Sequence, residues 1–270
     1  MRKRFAVLLT AAGLALAGCG GGTTDAREDP QAPLKIGVSP TPHGEILEYV
    51  QDNLAEQAGI ELELEEFDDY NRPNEAVANG ELDANFFQHE PYLRKYQQER
   101  GGEFTWVEPV HLEPLAVYST KHRSLREIPD GGTVMLSNDP ANQFRGLELL
   151  ADNGLIELKP DASADDRVEA AIAKNPKNIE FSSIAPDQLP RSVEETDASV
   201  VNGNFALKAN LSDPLVVEEA EGNPYANGLV ANPAMSDDPR MVELAGLLKS
   251  DAVKKFIQDE WKGVAVVPAD

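Results

Sequence analysis

The chain has 270 residues, 41% of them hydrophobic, and sets 47 Asp and Glu against 24 Lys and Arg for a formal charge of −23. That apolar share suffices for the core of one large domain or two smaller ones, while the anionic excess opposes nonspecific binding to nucleic-acid phosphates or anionic lipid. The single cysteine, Cys19, excludes an intrachain disulfide and has no thiol partner for a metal centre.

Arg2, Lys3 and Arg4 precede an apolar stretch that closes with Leu16-Ala17-Gly18-Cys19. Residues 1–18 read as an export signal processed at Cys19, because the stretch is too short for an ordinary membrane span. Gly20 to Thr24 pack poorly and suit a flexible tether over residues 19–33. Acylation of Cys19, by two or more chains for stable attachment, would hold the protein on the extracytoplasmic face. Processing there leaves 21 cationic against 47 anionic residues, a charge of −26, so the anchor must supply the membrane contact.

Leu34 to Val38 reads as a strand ended by Pro40 and Pro42, and Gly44 to Ala58 as an amphipathic helix with Ile46, Leu47, Val50, Leu54 and Ala58 on its apolar face. Ile60, Leu62 and Leu64 alternate with glutamates, the period of a half-buried strand. Ala84 to Phe87 is a further strand, and Glu90 to Gln98 a helix with Pro91 tolerated in its first turn. Strand and helix alternate, which predicts a parallel sheet covered by helices. A second α/β series follows the extended segment Leu115 to Tyr118: strands at 133–136, 179–182 and 198–201, and helices at 141–153, 167–173 and 188–194. Tyr225 to Ala231 is apolar enough to cross back, and Pro239 to Phe256 supplies helical surface broken near Lys249-Ser250-Asp251. The order predicts two α/β lobes, residues 34–117 with 230–270 and residues 118–229, joined by two crossings.

Asp83 to Tyr92 concentrates aromatic and polar groups at a strand-to-helix transition, where α/β sheets commonly hold ligands. Phe86 and Phe87 must point to opposite sides of an extended strand. His89 and Tyr92 are spaced to share a helical face, and with Tyr70 they can grip an apolar ligand stem. Further on, Asp139 is placed to cap a helix with Pro140 near its start, and Asn142 and Arg145 fall on one face. Arg145 offers a fork suited to a carboxylate, its alternative role being a surface ion pair. Asn202, Asn204 and Asn227 can accept from an ammonium or donate to a carboxylate, with turn formation as the alternative for the first two.

Catalysis has little support. His43 and Glu45 have no nucleophile beside them and more simply tie down the loop after the first strand; the four histidines show no close zinc-binding pattern; Gly20 to Gly22 lack the phosphate-loop sequence. No catalytic residue, metal or cofactor is expected.

The segments Pro40 to Leu47, Glu66 to Tyr70, Gly80 to His89, Asn138-Asp139-Pro140, Asn175 to Asn178, Gln188 to Arg191, Asn202-Gly203-Asn204 and Asn223 to Asn227 occur in an order that closely resembles the methionine-binding lipoprotein family, the substrate-binding components of ATP-driven methionine importers. The resemblance implies a two-lobed, periplasmic-binding-protein-like fold with the ligand in the cleft between lobes. It further implies that Tyr70, Phe87, His89 and Tyr92 enclose a methionine side chain, that Arg145 pairs with the α-carboxylate, and that Asn142, Asn202 and Asn227 complete the polar shell. Phe86 and Asn204 carry over less directly, and Phe144, where the family commonly has small residues, bears on cleft shape. The implied partners are an ABC permease with separate ATPase subunits. The alternatives are another neutral amino acid, a methionine-containing peptide, or a surface lipoprotein without a transport role.

Overall fold

The computed structural model describes residues 32–262 and 265–269. The export signal, Cys19 and nearly all of the tether lie outside the described residues.

Two sheets organise the chain. The first has the order β13-β4-β12-β3-β1-β2, from β1 (Leu34–Val38), β2 (Leu62–Glu66), β3 (Ala84–His89), β4 (Thr105–Leu112), β12 (Asn227–Ala231) and β13 (Val267–Pro268). Between β1 and β2, α1 (Glu45–Val50) runs through a wider turn at Gln51–Ala55 into α2 (Glu56–Ala58), and Gly59 stops it in the left-handed region at φ 70°. Its apolar face buries Ile46, Leu47 and Val50 against Leu34, Ile36 and Val38 of β1 and against Val253 and Ile257 from the C-terminal helices. α3 (Arg72–Ala78) and α4 (Glu90–Arg100) flank β3.

The second sheet has the order β11-β5-β10-β6-β9, from β5 (Ala116–Tyr118), β6 (Thr133–Ser137), β9 (Glu180–Ile184), β10 (Ala198–Val201) and β11 (Val216–Val217). It is covered by α5 (Pro140–Asp152), the short α6 (Val168–Ala171), α7 (Leu189–Glu195) and α8 (Gly203–Lys208), with a small hairpin of β7 (Glu157–Leu158) and β8 (Ile172–Lys174) outside it. Leu136, Leu147, Leu150, Val134 and Val200 form its core. The last helices, α9 (Pro239–Leu248) and α10 (Asp251–Trp261), return to the first lobe, where Phe256 stacks on Tyr49 at 4.3 Å. Asp238 and Ser250 cap these two helices through their side chains, which places the break where the sequence has Lys249-Ser250-Asp251.

Four expectations need correction. The first sheet is mixed: β1 pairs in parallel with β2 and β3, but β12 enters from the other lobe and runs antiparallel to β3 and β4. The helix expected over 167–173 shrinks to α6, because Ile172 takes extended geometry and leads into β8. Tyr225 to Ala231 is more than a crossing: from Asn227 onward it is an inner strand of the first sheet. β5 belongs to the second sheet from Ala116 onward.

Two stretches join the lobes, residues 113–115 and 218–226. They begin side by side, with Glu218 N donating to Leu115 O at 2.8 Å and Leu115 N donating to Glu218 Oε2 at 3.0 Å.

Candidate functional site

The C-terminal ends of β3, β6 and β10 converge on one cavity between the lobes, the usual place for a ligand in such sheets. About 310 Å³ of non-atom space is lined by Tyr70, Phe87, Gln88, His89, Tyr92, Glu113, Asn142, Arg145, Asn202, Gly203, Asn204 and Asn227. All eight residues singled out from the sequence are in that lining, as is Asn204.

The aromatic side is built by Phe87 of β3, Tyr92 of α4 and Tyr70 in the turn before α3. The pleat sends Phe86 into the core and Phe87 into the cavity. Phe87, Tyr70 and Tyr92 meet with ring centroids 5.7 to 5.9 Å apart. Tyr92 Oη donates to Tyr70 O at 2.8 Å, and Tyr70 Oη donates to Asn204 Oδ1 at 2.6 Å, which ties the two lobes. Burial raises the pKa of both tyrosines, first by desolvation and then through nearby carboxylates, so both hydroxyls stay protonated donors.

His89 does not share a helical face with Tyr92. It ends β3 and caps α4, its Nδ1 accepting from Tyr92 N at 3.1 Å. That bond places the proton on Nε2, which donates to Asn142 Oδ1 at 3.2 Å. Burial, then Arg145, pulls His89 down to about 3, so the ring is neutral.

A chain of amides then fixes orientation. Asp139 caps α5 by accepting from Asn142 N at 2.8 Å and also takes Asn142 Nδ2 at 3.1 Å. Asn142 Oδ1 is therefore turned outward, where it accepts from His89 and from Asn202 Nδ2 at 2.8 Å. Asn202 Oδ1 is left buried with no donor among the described residues. A buried acceptor without a donor is costly and rare, which marks this atom as a ligand contact.

Arg145 is 3% exposed and occupies the charged end. It is neither a free fork nor a surface ion pair. Nε donates to Glu218 Oε1 at 3.0 Å, Nη2 donates to Glu218 Oε2 and, at 3.0 Å, to Glu113 O, and Tyr225 lies under the guanidinium at 4.5 Å. Tyr225 Oη in turn donates to Glu148 at 2.7 Å. Nη1 takes part in none of these bonds and remains for a further acceptor.

Glu113, Glu218 and Tyr225 are not among the site residues expected from the sequence. Glu113 sits in the first crossing, and its Oε1 receives His111 Nε2 at 2.8 Å and Asn227 Nδ2 at 2.9 Å, with His43 Nε2 at 3.2 Å. Burial alone would raise its pKa, but His43, His111 and Arg145 more than offset that and hold the carboxyl below its usual range. It is an anion facing the cavity. His43 anchors the segment after β1, as expected: it is wholly buried against Phe86 and His111, and burial takes it down to about 3. The donor atoms of His43, His111 and Glu113 lie within 4.8 Å of one another, a grouping hidden from a reading of histidine spacing. Gly203, at the start of α8, comes so close that a Cβ there would lie 2.6 Å from Glu113 Cβ. Phe144 is half-buried on α5 and lies outside the cavity lining.

Asn227 reaches the site because β12 lies between β3 and β4. Its register partners are His89 on one side and His111 on the other, and the ladder shifts on both sides of Gly228.

The profile of one protein family, described as NlpA lipoprotein, matches residues 34–269. The methionine-binding lipoprotein MetQ of Bacillus subtilis (strain 168) is 36% identical over 276 residues, covering 99% of each chain. The D-methionine-binding lipoprotein MetQ of Escherichia coli (strain K12) is 34% identical, covering 98% of this chain and 97% of its own. Among solved structures, a nutrient binding protein from Burkholderia cenocepacia bound to methionine is 36% identical with a TM-score of 0.83, covering 88% of this chain and all of that one.

Proposed function

This chain belongs to the NlpA lipoprotein family, substrate-binding components of ABC importers and not enzymes, and on that premise we propose that it captures methionine outside the cytoplasm and delivers it to a membrane permease. The observation that carries this reading is the pairing, in one cavity, of a guanidinium and a carboxylate with an aromatic wall. Arg145 offers Nη1 to a carboxylate. Glu113 and Asn202 Oδ1 are acceptors for the three hydrogens of an α-ammonium. Tyr70, Phe87 and Tyr92 shelter an unbranched apolar tail, whose burial contributes about 1.5–3 kcal/mol. A thioether suits such a wall because sulfur packs well against ring edges.

Selection follows from what each end leaves unsatisfied. A ligand without a carboxylate strands Arg145 Nη1, and one without an ammonium leaves Glu113 uncompensated, each a desolvation cost of about 1–3 kcal/mol or more. Contacts from the first lobe (Tyr70, His89) to the second (Asn204, Asn142) already bridge the cleft, so a ligand that adds to them favours the closed state. Acylation at Cys19 would keep the protein beside its permease, with ATP hydrolysis on separate subunits. Relatives named for D-methionine support a second reading, in which the D form is the preferred ligand.

Titration of ligand-stripped protein with L-methionine, D-methionine, methionine dipeptides and other neutral amino acids tests this. One site per chain with a methionine enantiomer bound most tightly is expected; no binding of any of these overturns it.

A further inference from the structure

Resting on the amino-acid reading above, we propose that Glu218 is a positioning residue that sets the enantiomer preference of the cleft by fixing the pose of Arg145. Four observations carry this. Glu218 takes both Nε and Nη2 of Arg145, the bidentate arrangement that fixes a guanidinium in plane as well as in place. Its own carboxylate is tied to the other crossing through Leu115 N at 3.0 Å, and its backbone N–H donates to Leu115 O. Tyr225, seven residues on in the same crossing, covers one face of the guanidinium at 4.5 Å and is itself held by Glu148. Glu218 is absent from the cavity lining, so it acts on a ligand only through Arg145.

Arg145 stands on α5 of the second lobe, yet the groups that aim it all belong to the two crossings or to α5 itself. The guanidinium is thus referenced to the crossings, where Glu113 also sits. The distance between the cationic and anionic ends of the cavity is set by the paired crossings rather than by how far the lobes close. Two enantiomers carry the same charges and the same tail; they differ only in where carboxylate and ammonium lie relative to that tail. Discrimination between them requires both charged groups to be fixed, and a guanidinium free to swing loses it.

The test measures the dissociation constants of L- and D-methionine for the ligand-stripped full chain by calorimetry, in the parent, Glu218→Ala, Glu218→Gln and Tyr225→Leu. The parent is expected to separate the enantiomers at least tenfold. Glu218→Ala should bring the ratio at least fivefold closer to one. Glu218→Gln, which keeps one acceptor, should move it at least twofold and less than the alanine does. Tyr225→Leu, which removes the covering face by a separate route, should move it the same way. A general loosening of the fold weakens both enantiomers alike and leaves the ratio unchanged, so the ratio isolates positioning. Should Glu218→Ala fail to fold, Glu218→Gln decides. A ratio unchanged in the folded Glu218 variants, or a parent that binds both forms equally, overturns the assignment. A parent that binds neither enantiomer overturns the functional reading itself.

Discussion

The two ends of the cavity are built on opposite principles. At the charged end both ionic groups are fixed several times over: Arg145 by Glu218, Glu113 O and Tyr225, and Glu113 by His111 and Asn227. At the aromatic end Tyr70, Phe87 and Tyr92 touch at ring distances of nearly 6 Å, and two tyrosine hydroxyls supply directional bonds, to Asn204 and to the Tyr70 carbonyl. Fixed charges discriminate by geometry and tolerate little change, whereas an aromatic wall discriminates by area and tolerates similar shapes. The head of a ligand should therefore be read strictly and its tail loosely.

The largest break in that contrast comes from Arg145→Ala. It removes the carboxylate partner and leaves Glu218 and Glu113 without their cation. For binding, truncating one partner of a buried hydrogen-bonded charge pair costs about 2–5 kcal/mol. Methionine affinity measured by calorimetry should fall by roughly a thousandfold, since about 4 kcal/mol is three decades. Glu113→Gln keeps shape and removes the anion. A hydrogen bond to a charged group is worth about 1.5–3 kcal/mol, so affinity should drop by roughly 10- to 100-fold in the same assay. At the other end, Phe87→Ala should cost up to about 3 kcal/mol of apolar burial, but Phe87→Leu under about 1.5 kcal/mol, because a hydrophobic swap of similar volume is tolerated. A Phe87→Leu loss as great as that of Glu113→Gln would erase the distinction between the ends.

Acid sharpens it further. His43 and His89 sit near 3 in the folded chain, against about 6.5 when unfolded. Between those values the unfolded chain binds more protons, so stability is present above about pH 6.5 and is lost as pH falls. The slope approaches about 1.4 kcal/mol per pH unit for each imidazole. Urea midpoints should thus decline from pH 7 to pH 5, and His89→Gln should flatten the decline. The smallest effect belongs to the surface: Lys208 pairs with Asp68 across the lobes in full view of solvent, and Lys208→Ala should change affinity less than about twofold, as exposed pairs contribute about 0–1 kcal/mol.

The aromatic end was largely legible in the sequence and the charged end only half so. Phe86 and Phe87, Asp139 and Pro140 act through local rules, pleat and capping, that neighbouring residues reveal. Glu113 and Glu218 are two of 47 acidic residues, and their partners lie far along the chain; Arg145 and Glu218 are 73 residues apart. Nothing local separates them from solvated glutamates. β4 escaped notice because Pro109 and Glu108 interrupt its apolar pattern, the irregularity that lets the strand pass the shifted register at Gly228. α8 begins with Asn202-Gly203-Asn204, which spells a turn until Phe205 and Ala206 are seen to be buried.

Gly203 stands flush against Glu113, and there α8 meets the first crossing with less than a methyl group to spare. Position 203 is for that reason a fixed point: its neighbours Asn202 and Asn204 both line the cavity, and each is already bonded there, Asn202 to Asn142 and Asn204 to Tyr70. The hydrogen between them must remain. A branched residue placed there would act as a doorstop whatever the cargo.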